Sequence, residues 1–212
     1  MKKNILNLFT ILAIGIMVIG CKKKAEEATT TEAEKVAEAQ VNAAKYMADI
    51  EASTIEWQGF KPTGTHKGTI NIETGALSMS GSTIESGTFL IDMSSIKDSE
   101  SNAKLEGHLK SPDFFDVEKY PSAAFEITGL EAKDGKSMLS GNLTLKDAKN
   151  NVTFPVTVSE NGDTVTLSSE VFTIDRSKWN VQYGSKSFFD NLGDKFINDD
   201  IELKIMITAK KS

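Results

Sequence analysis

The chain has 212 residues, 30 acidic against 24 basic side chains, a net charge of −6 and a single cysteine. That charge excludes a nucleic-acid partner, whose phosphates call for a basic face, and one thiol excludes a disulfide framework. Two histidines with no HExxH pattern and no cysteine cluster argue against a metal site or a thiol nucleophile.

Residues 1–20 have the three-part layout of an export signal: Lys2 and Lys3, an apolar run from Ile5 to Ile19, and Gly20 before Cys21. The order resembles a bacterial lipoprotein signal, in which Cys21 becomes the lipidated first residue. A plain membrane anchor is the alternative, but a span needs about 17–25 apolar residues and this run is short. The expected location is therefore the periplasmic side of the bacterial envelope, anchored through Cys21. Lys22 in place of an acidic residue favours the outer membrane over the inner.

Residues 21–50 are rich in Ala, Glu, Thr and Lys and poor in large apolar side chains. Such a segment buries too little surface to offset its chain entropy. It is expected to be a tether, flexible or partly helical, ahead of a folded domain at 51–212.

From Glu51 the period becomes two. Ile55 and Trp57, then Phe89, Ile91 and Met93, then Val152, Phe154 and Val156, and finally Ile201, Leu203, Ile205 and Ile207 alternate with polar neighbours. Turn signals such as Asp134-Gly135 and Asn161-Gly162-Asp163 separate these runs, so about eight antiparallel strands in an all-β barrel or sandwich are expected. Val165 and Leu167 occupy odd positions and Phe172 and Ile174 even ones. That change of face predicts a bulge near Ser169–Val171.

Two interruptions look helical. In Ser101–Ser111, Leu105 and Leu109 share one helix face and Pro112 stops it. Ser185–Leu192, with Phe188 and Phe189, reads as a second short turn. Between them, HLKSPDFFDVEKYP (108–121) sets Leu109, Phe114, Phe115 and Val117 among Pro, Asp and Lys. A surface connection is normally polar, so this segment reads as a hydrophobic plug over an apolar opening.

That block, together with Trp57, Thr65-His66-Lys67-Gly68, Gly87-Thr88-Phe89, Gly141-Asn142-Leu143-Thr144-Leu145 and Asp175-Arg176-Ser177-Lys178-Trp179-Asn180 with Tyr183-Gly184, resembles the YceI-like family over about residues 52–209. The resemblance implies an extended lipocalin-like barrel that binds a lipid or polyisoprenoid. Glu106-Gly107 departs from the charged pair that members often carry there.

An eight-stranded barrel either fills with side chains or holds one small ligand. The candidate apolar lining is Trp57, Phe89, Ile91, Phe125, Phe154, Phe172 and Trp179, with Phe114, Phe115 and Phe188 from the lids; packing of these residues on one another is the competing outcome. The candidate polar rim is His66, Arg176 and Tyr183. Arg176 suits a phosphate or polar head group, and an ion pair with Asp175, Asp199 or Asp200 is its alternative. His108 is expected to cap or pack. The carboxylate pairs Asp113/Asp116 and Asp199/Asp200 suit turn duty better than acid–base catalysis. The expectation is a non-enzymatic carrier of a long apolar ligand, with no cofactor beyond a bound isoprenoid or fatty lipid; an interaction module with a filled core is the rival. Long strands and aromatic loops are compatible with a homodimer.

Overall fold

A computed structural model describes residues 25–212; the expected signal, Cys21 and Lys22 lie outside the described residues. The described residues form twelve strands. The first three are short: β1 (Glu26–Glu27), β2 (Thr29–Glu32) and β3 (Ala44–Ala48). Then come β4 (Thr54–Lys61), β5 (Gly64–Ser80) and β6 (Thr83–Asp98), a helix α1 (Ala103–Lys110), and β7 (Ser122–Lys133), β8 (Lys136–Leu145) and β9 (Ala148–Asn161). β10 (Thr164–Ser169), β11 (Phe172–Asp175) and β12 (Asp200–Lys211) complete the set.

These strands close into a barrel. β4 pairs with β5 on one side and β12 on the other, and β12 returns through β10, β9, β8, β7 and β6 to β5. Eight places make the ring, because β3 and β4 share the place between β5 and β12 while β10 and β11 share another. Closure pairs the ring strands on both sides except where β9 and β11 part beyond the bend.

The change of apolar face falls where the spacing predicts it. β10 buries Val165 and Leu167, Glu170 and Val171 step out of the ladder, and β11 buries Phe172 and Ile174. At the bend the Ser169 hydroxyl accepts from the Ile205 N–H, 2.9 Å, replacing a lost ladder bond.

The segment read as a tether is part of the sheet instead. β1 lies parallel to β11, β2 antiparallel to β9, and β3 buries Tyr46 against the barrel. Apolar burial is not what secures the first two of these strands. What holds β1 and β2 is backbone pairing with strands that the bend leaves unpartnered.

The barrel is filled at one end and hollow at the other. Leu77, Met79, Ile84, Ile127, Val165 and Ala209 are all 2 % exposed or less and pack the end nearest the 80–83 and 161–164 turns. Over the opposite end lie α1 and the plug. Asn102 caps α1 by accepting from the Leu105 N–H, 3.1 Å, and Glu106 accepts from the Asp98 N–H, tying the helix to β6. The chain then wraps the helix end, with the Phe115 and Val117 N–H groups donating to Leu109 and Lys110 carbonyls. Leu109, Phe114, Phe115 and Val117 are buried, as a plug requires.

The second lid segment is not a helix. Phe188 and Phe189 N–H groups both fold back on the Ser185 carbonyl in a single turn, and a short 3₁₀ turn follows at Gly193–Lys195.

Candidate functional site

The hollow end encloses a cavity of about 420 Å³, within the range of sites that take a small organic molecule. Its wall is made by the inward-facing positions of the strands, so strand period alone aims most of the lining residues. Trp57 on β4, Phe89 and Ile91 on β6, Phe125 on β7, Phe154 on β9 and Phe172 on β11 all line it, with Phe114 and Phe115 from the plug. Glycines make room for the rings: a Cβ at Gly75 would overlap Phe89 and one at Gly141 would overlap Phe125, while one at Gly68 would first strike the Lys97 carbonyl and then the Trp57 ring. Phe154 and Phe172 stack face to face, 4.2 Å apart at 5°.

Two expected lining residues lie elsewhere. Trp179 is fully buried, but its 3₁₀ turn carries it to the end of β8, where its indole N–H donates to the Leu143 carbonyl, 2.8 Å. It packs behind the wall. Phe188 is 42 % exposed and outside the lining, because its turn is braced on Ser185 and does not reach the opening.

Sequence reasoning passed over much of the aliphatic lining, including Ile70, Ile72, Leu139, Leu143 and Ile205, and over Leu105 on α1. The alternating parity that singled out the aromatics marks most of these too. The preference for large rings hid them.

At the mouth stand Lys61, His66, His108, Tyr183 and Lys195. No carboxylate lines the cavity among the described residues, although the whole chain is acidic. His66 Nδ1 lies 3.7 Å from the buried Asp98 carboxylate, whose other oxygen accepts from the Glu100 and Asn102 N–H groups. His108, expected to cap or pack, also lines the cavity, with its ring edge-on to Tyr183 at 4.5 Å and Phe114 at 5.5 Å.

Arg176 borders the cavity but is 1 % exposed, so it is no solvent-facing rim residue. Three of its N–H groups are held by backbone: Nη1 donates to the Val181 carbonyl at 2.6 Å, Nε to Asn198 at 3.1 Å and Nη2 to Ile197 at 3.1 Å. Nη2 also lies 3.3 Å from Asp199, the ion-pair alternative raised by the sequence. Burial pushes its pKa down from the ordinary guanidinium value, with Asp199 and then Asp175 opposing. The arginine pins the 181–199 loop over the barrel, and its guanidinium sits 5.4 Å from the Phe114 ring.

The arrangement offers deep apolar burial and a few polar contacts at one end. Among the described residues no group of three or more His, Cys, Asp or Glu could hold a metal ion, and no helix is long and apolar enough to cross a membrane.

Comparisons place this geometry among known proteins. A UPF0312 protein of Pseudomonas aeruginosa is 43 % identical over 58 residues, 27 % of this chain and 28 % of that protein. Another, from Azotobacter vinelandii, is 29 % identical over 43 % of this chain and 46 % of its own. The chain thus matches less than half the length of these relatives. Among solved structures, Burkholderia cenocepacia BcnA superposes with a TM-score of 0.64 at 24 % identity, covering 77 % of this chain and 99 % of that one. A polyisoprenoid binding domain from Saccharophagus degradans, implicated in plant cell wall breakdown, has a TM-score of 0.58 at 12 % identity over 81 % and 100 %. At such identities both establish the fold. The YceI-like domain model matches residues 26–209, nearly all that the structure describes, and the chain belongs to the YceI-like domain family.

Proposed function

We propose that this protein binds one long apolar molecule, a polyisoprenoid, an isoprenoid quinone or a fatty lipid, and carries or stores it in the cell envelope. The observation that supports this most directly is the hollow half of the barrel, walled by apolar side chains and open beside a cationic mouth. Each buried methylene of a ligand contributes about 0.8 kcal/mol, so a chain laid along this wall binds usefully with few polar contacts. The polyisoprenoid binding domain of S. degradans shares the fold and lends the ligand class. A filled-core interaction module has no use for such a cavity. Among the described residues no carboxylate lines the cavity, and binding without chemistry is our reading.

Export and lipidation at Cys21 complete the proposal, and would hold the domain at the membrane from which such a cargo comes. Purification of the protein from its native membranes, followed by denaturation and mass spectrometry of the organic extract, tests the carrier reading. A stoichiometric isoprenoid or fatty lipid is expected; a lipid-free extract from folded protein would overturn it.

A further inference from the structure

The barrel wall has a seam. β9 and β10 pair from Asn161↔Thr164 to Val156↔Ser169, and then the bend carries β11 away. Pro155, which has no N–H to give a ladder, sits at the parting, where its carbonyl accepts a last bond from the Glu170 N–H, 3.3 Å. Beyond that point β11 pairs with β12 and β1, and β9 pairs with β8 and β2. Residues 26–32 therefore occupy the seam as an inserted stave.

This stave adds little apolar cover. Ala28 is its one buried side chain and Thr30 is half-buried, while Glu26, Glu27, Thr29 and Thr31 are exposed. Behind the seam stands the stacked pair Phe154 and Phe172, one ring from each bordering strand, both lining the cavity. The strap is held mostly by hydrogen bonds. The Ala28 N–H donates to the Thr173 carbonyl at 2.8 Å. Further along, the buried Asn142 amide donates to the Glu34 carbonyl at 2.7 Å and accepts from its N–H at 2.9 Å, oriented by Asn151, which donates to Asn142 and Thr128. Attachments of this kind, with few buried apolar contacts, open locally far below the cost of global unfolding.

We propose that residues 26–32 form a removable stave: they leave the seam while the ring stays folded, Phe154 and Phe172 part, and the ligand chain passes sideways between β9 and β11. Lateral entry spares a long chain from threading past α1 and the plug. The cargo in this scheme rests on the carrier reading above; the opening of the stave does not. With Cys21 lipidated as proposed, the five residues to Glu26 reach at most about 18 Å, which keeps the seam close to the membrane surface.

Thr29 and Thr153 are direct cross-strand partners, so Thr29→Cys with Thr153→Cys, in the full chain carrying Cys21→Ser, locks the stave when oxidised. The probe is cis-parinaric acid, followed by stopped-flow energy transfer from tryptophan. Oxidation is expected to slow binding and release together by about tenfold or more, as closing a gate does, with reduction restoring both; Asn142→Ala is expected to speed both. Rates unmoved by the crosslink would overturn the gate. Amide exchange followed by NMR decides the opening without a ligand: the Ala28 amide should exchange much faster than the β5–β6 ladder, and an Ala28 amide as slow as that ladder would overturn the proposal. Failure of wild type to bind the probe would count against the carrier reading, while amide exchange would still decide the stave.

Discussion

Replacing Arg176 with alanine separates a structural arginine from a ligand-binding one. The side chain is 1 % exposed and gives three hydrogen bonds to the Val181, Ile197 and Asn198 carbonyls, beside Asp199. Its loss leaves three inward-facing carbonyls short of a donor and a half-buried carboxylate without its cation. Removing one partner of a buried charged network costs about 3–5 kcal/mol, against a total stability of about 5–15 kcal/mol for a domain. At about 2–4 °C per kcal/mol for a chain of this size, the melting temperature should fall by about 6–20 °C. Thermal unfolding by circular dichroism reads this, and amide exchange should show the loss concentrated at 181–199. A variant that melts within a degree or two of wild type while losing its lipid would refute the reasoning and return Arg176 to the ligand.

Phe154→Asp sets an ionisable group in the apolar wall beside Phe172 and Phe125. Desolvating it against a hydrocarbon chain is costly, so the lipid-to-protein ratio in organic extracts should collapse while the β-sheet signal persists; full lipid occupancy would place the ligand elsewhere. Gly141→Ala pushes a methyl into the Phe125 ring, and the urea unfolding free energy should drop by about 1–3 kcal/mol, the usual cost of overpacking; unchanged stability would mean that the ring moves away freely. The Asp98 N–H bond, and after it Lys97, hold the Glu106 carboxyl below its ordinary value of 4.5. A carboxylate depressed in the folded state adds stability above its unfolded pKa and loses it as pH falls through the folded one. Glu106→Gln should therefore lower the denaturation midpoint at neutral pH and be nearly silent at about pH 2; an equal effect at both pH values would refute the pairing.

The amino-acid sequence by itself determined what short-range rules control. Period-two alternation in Ile55 and Trp57 or in Phe89 and Ile91 names strands and their inner faces, because side chains on a strand alternate by geometry. The change of parity between Leu167 and Phe172 located the bend, and the crowded phenylalanines of 108–121 announced the plug. Tertiary structure decided everything that depends on a partner far along the chain. Residues 26–48 look too polar to fold, yet β9 and β11 offer backbone to 26–32, and β5 and β12 to 44–48, which no local composition reveals. Trp179 and Phe188 share the aromatic character of the lining, but the turns that carry them point one behind the wall and the other toward solvent. Arg176 reads equally as a head-group contact or an ion-pair partner until the 181–199 loop folds back and sets three carbonyls and Asp199 around it. Whether a barrel is hollow or filled is likewise a matter of volume: here Leu77, Met79 and Ile127 are buried at one end while an apolar-lined cavity occupies the other, a balance fixed only once all eight walls are in place.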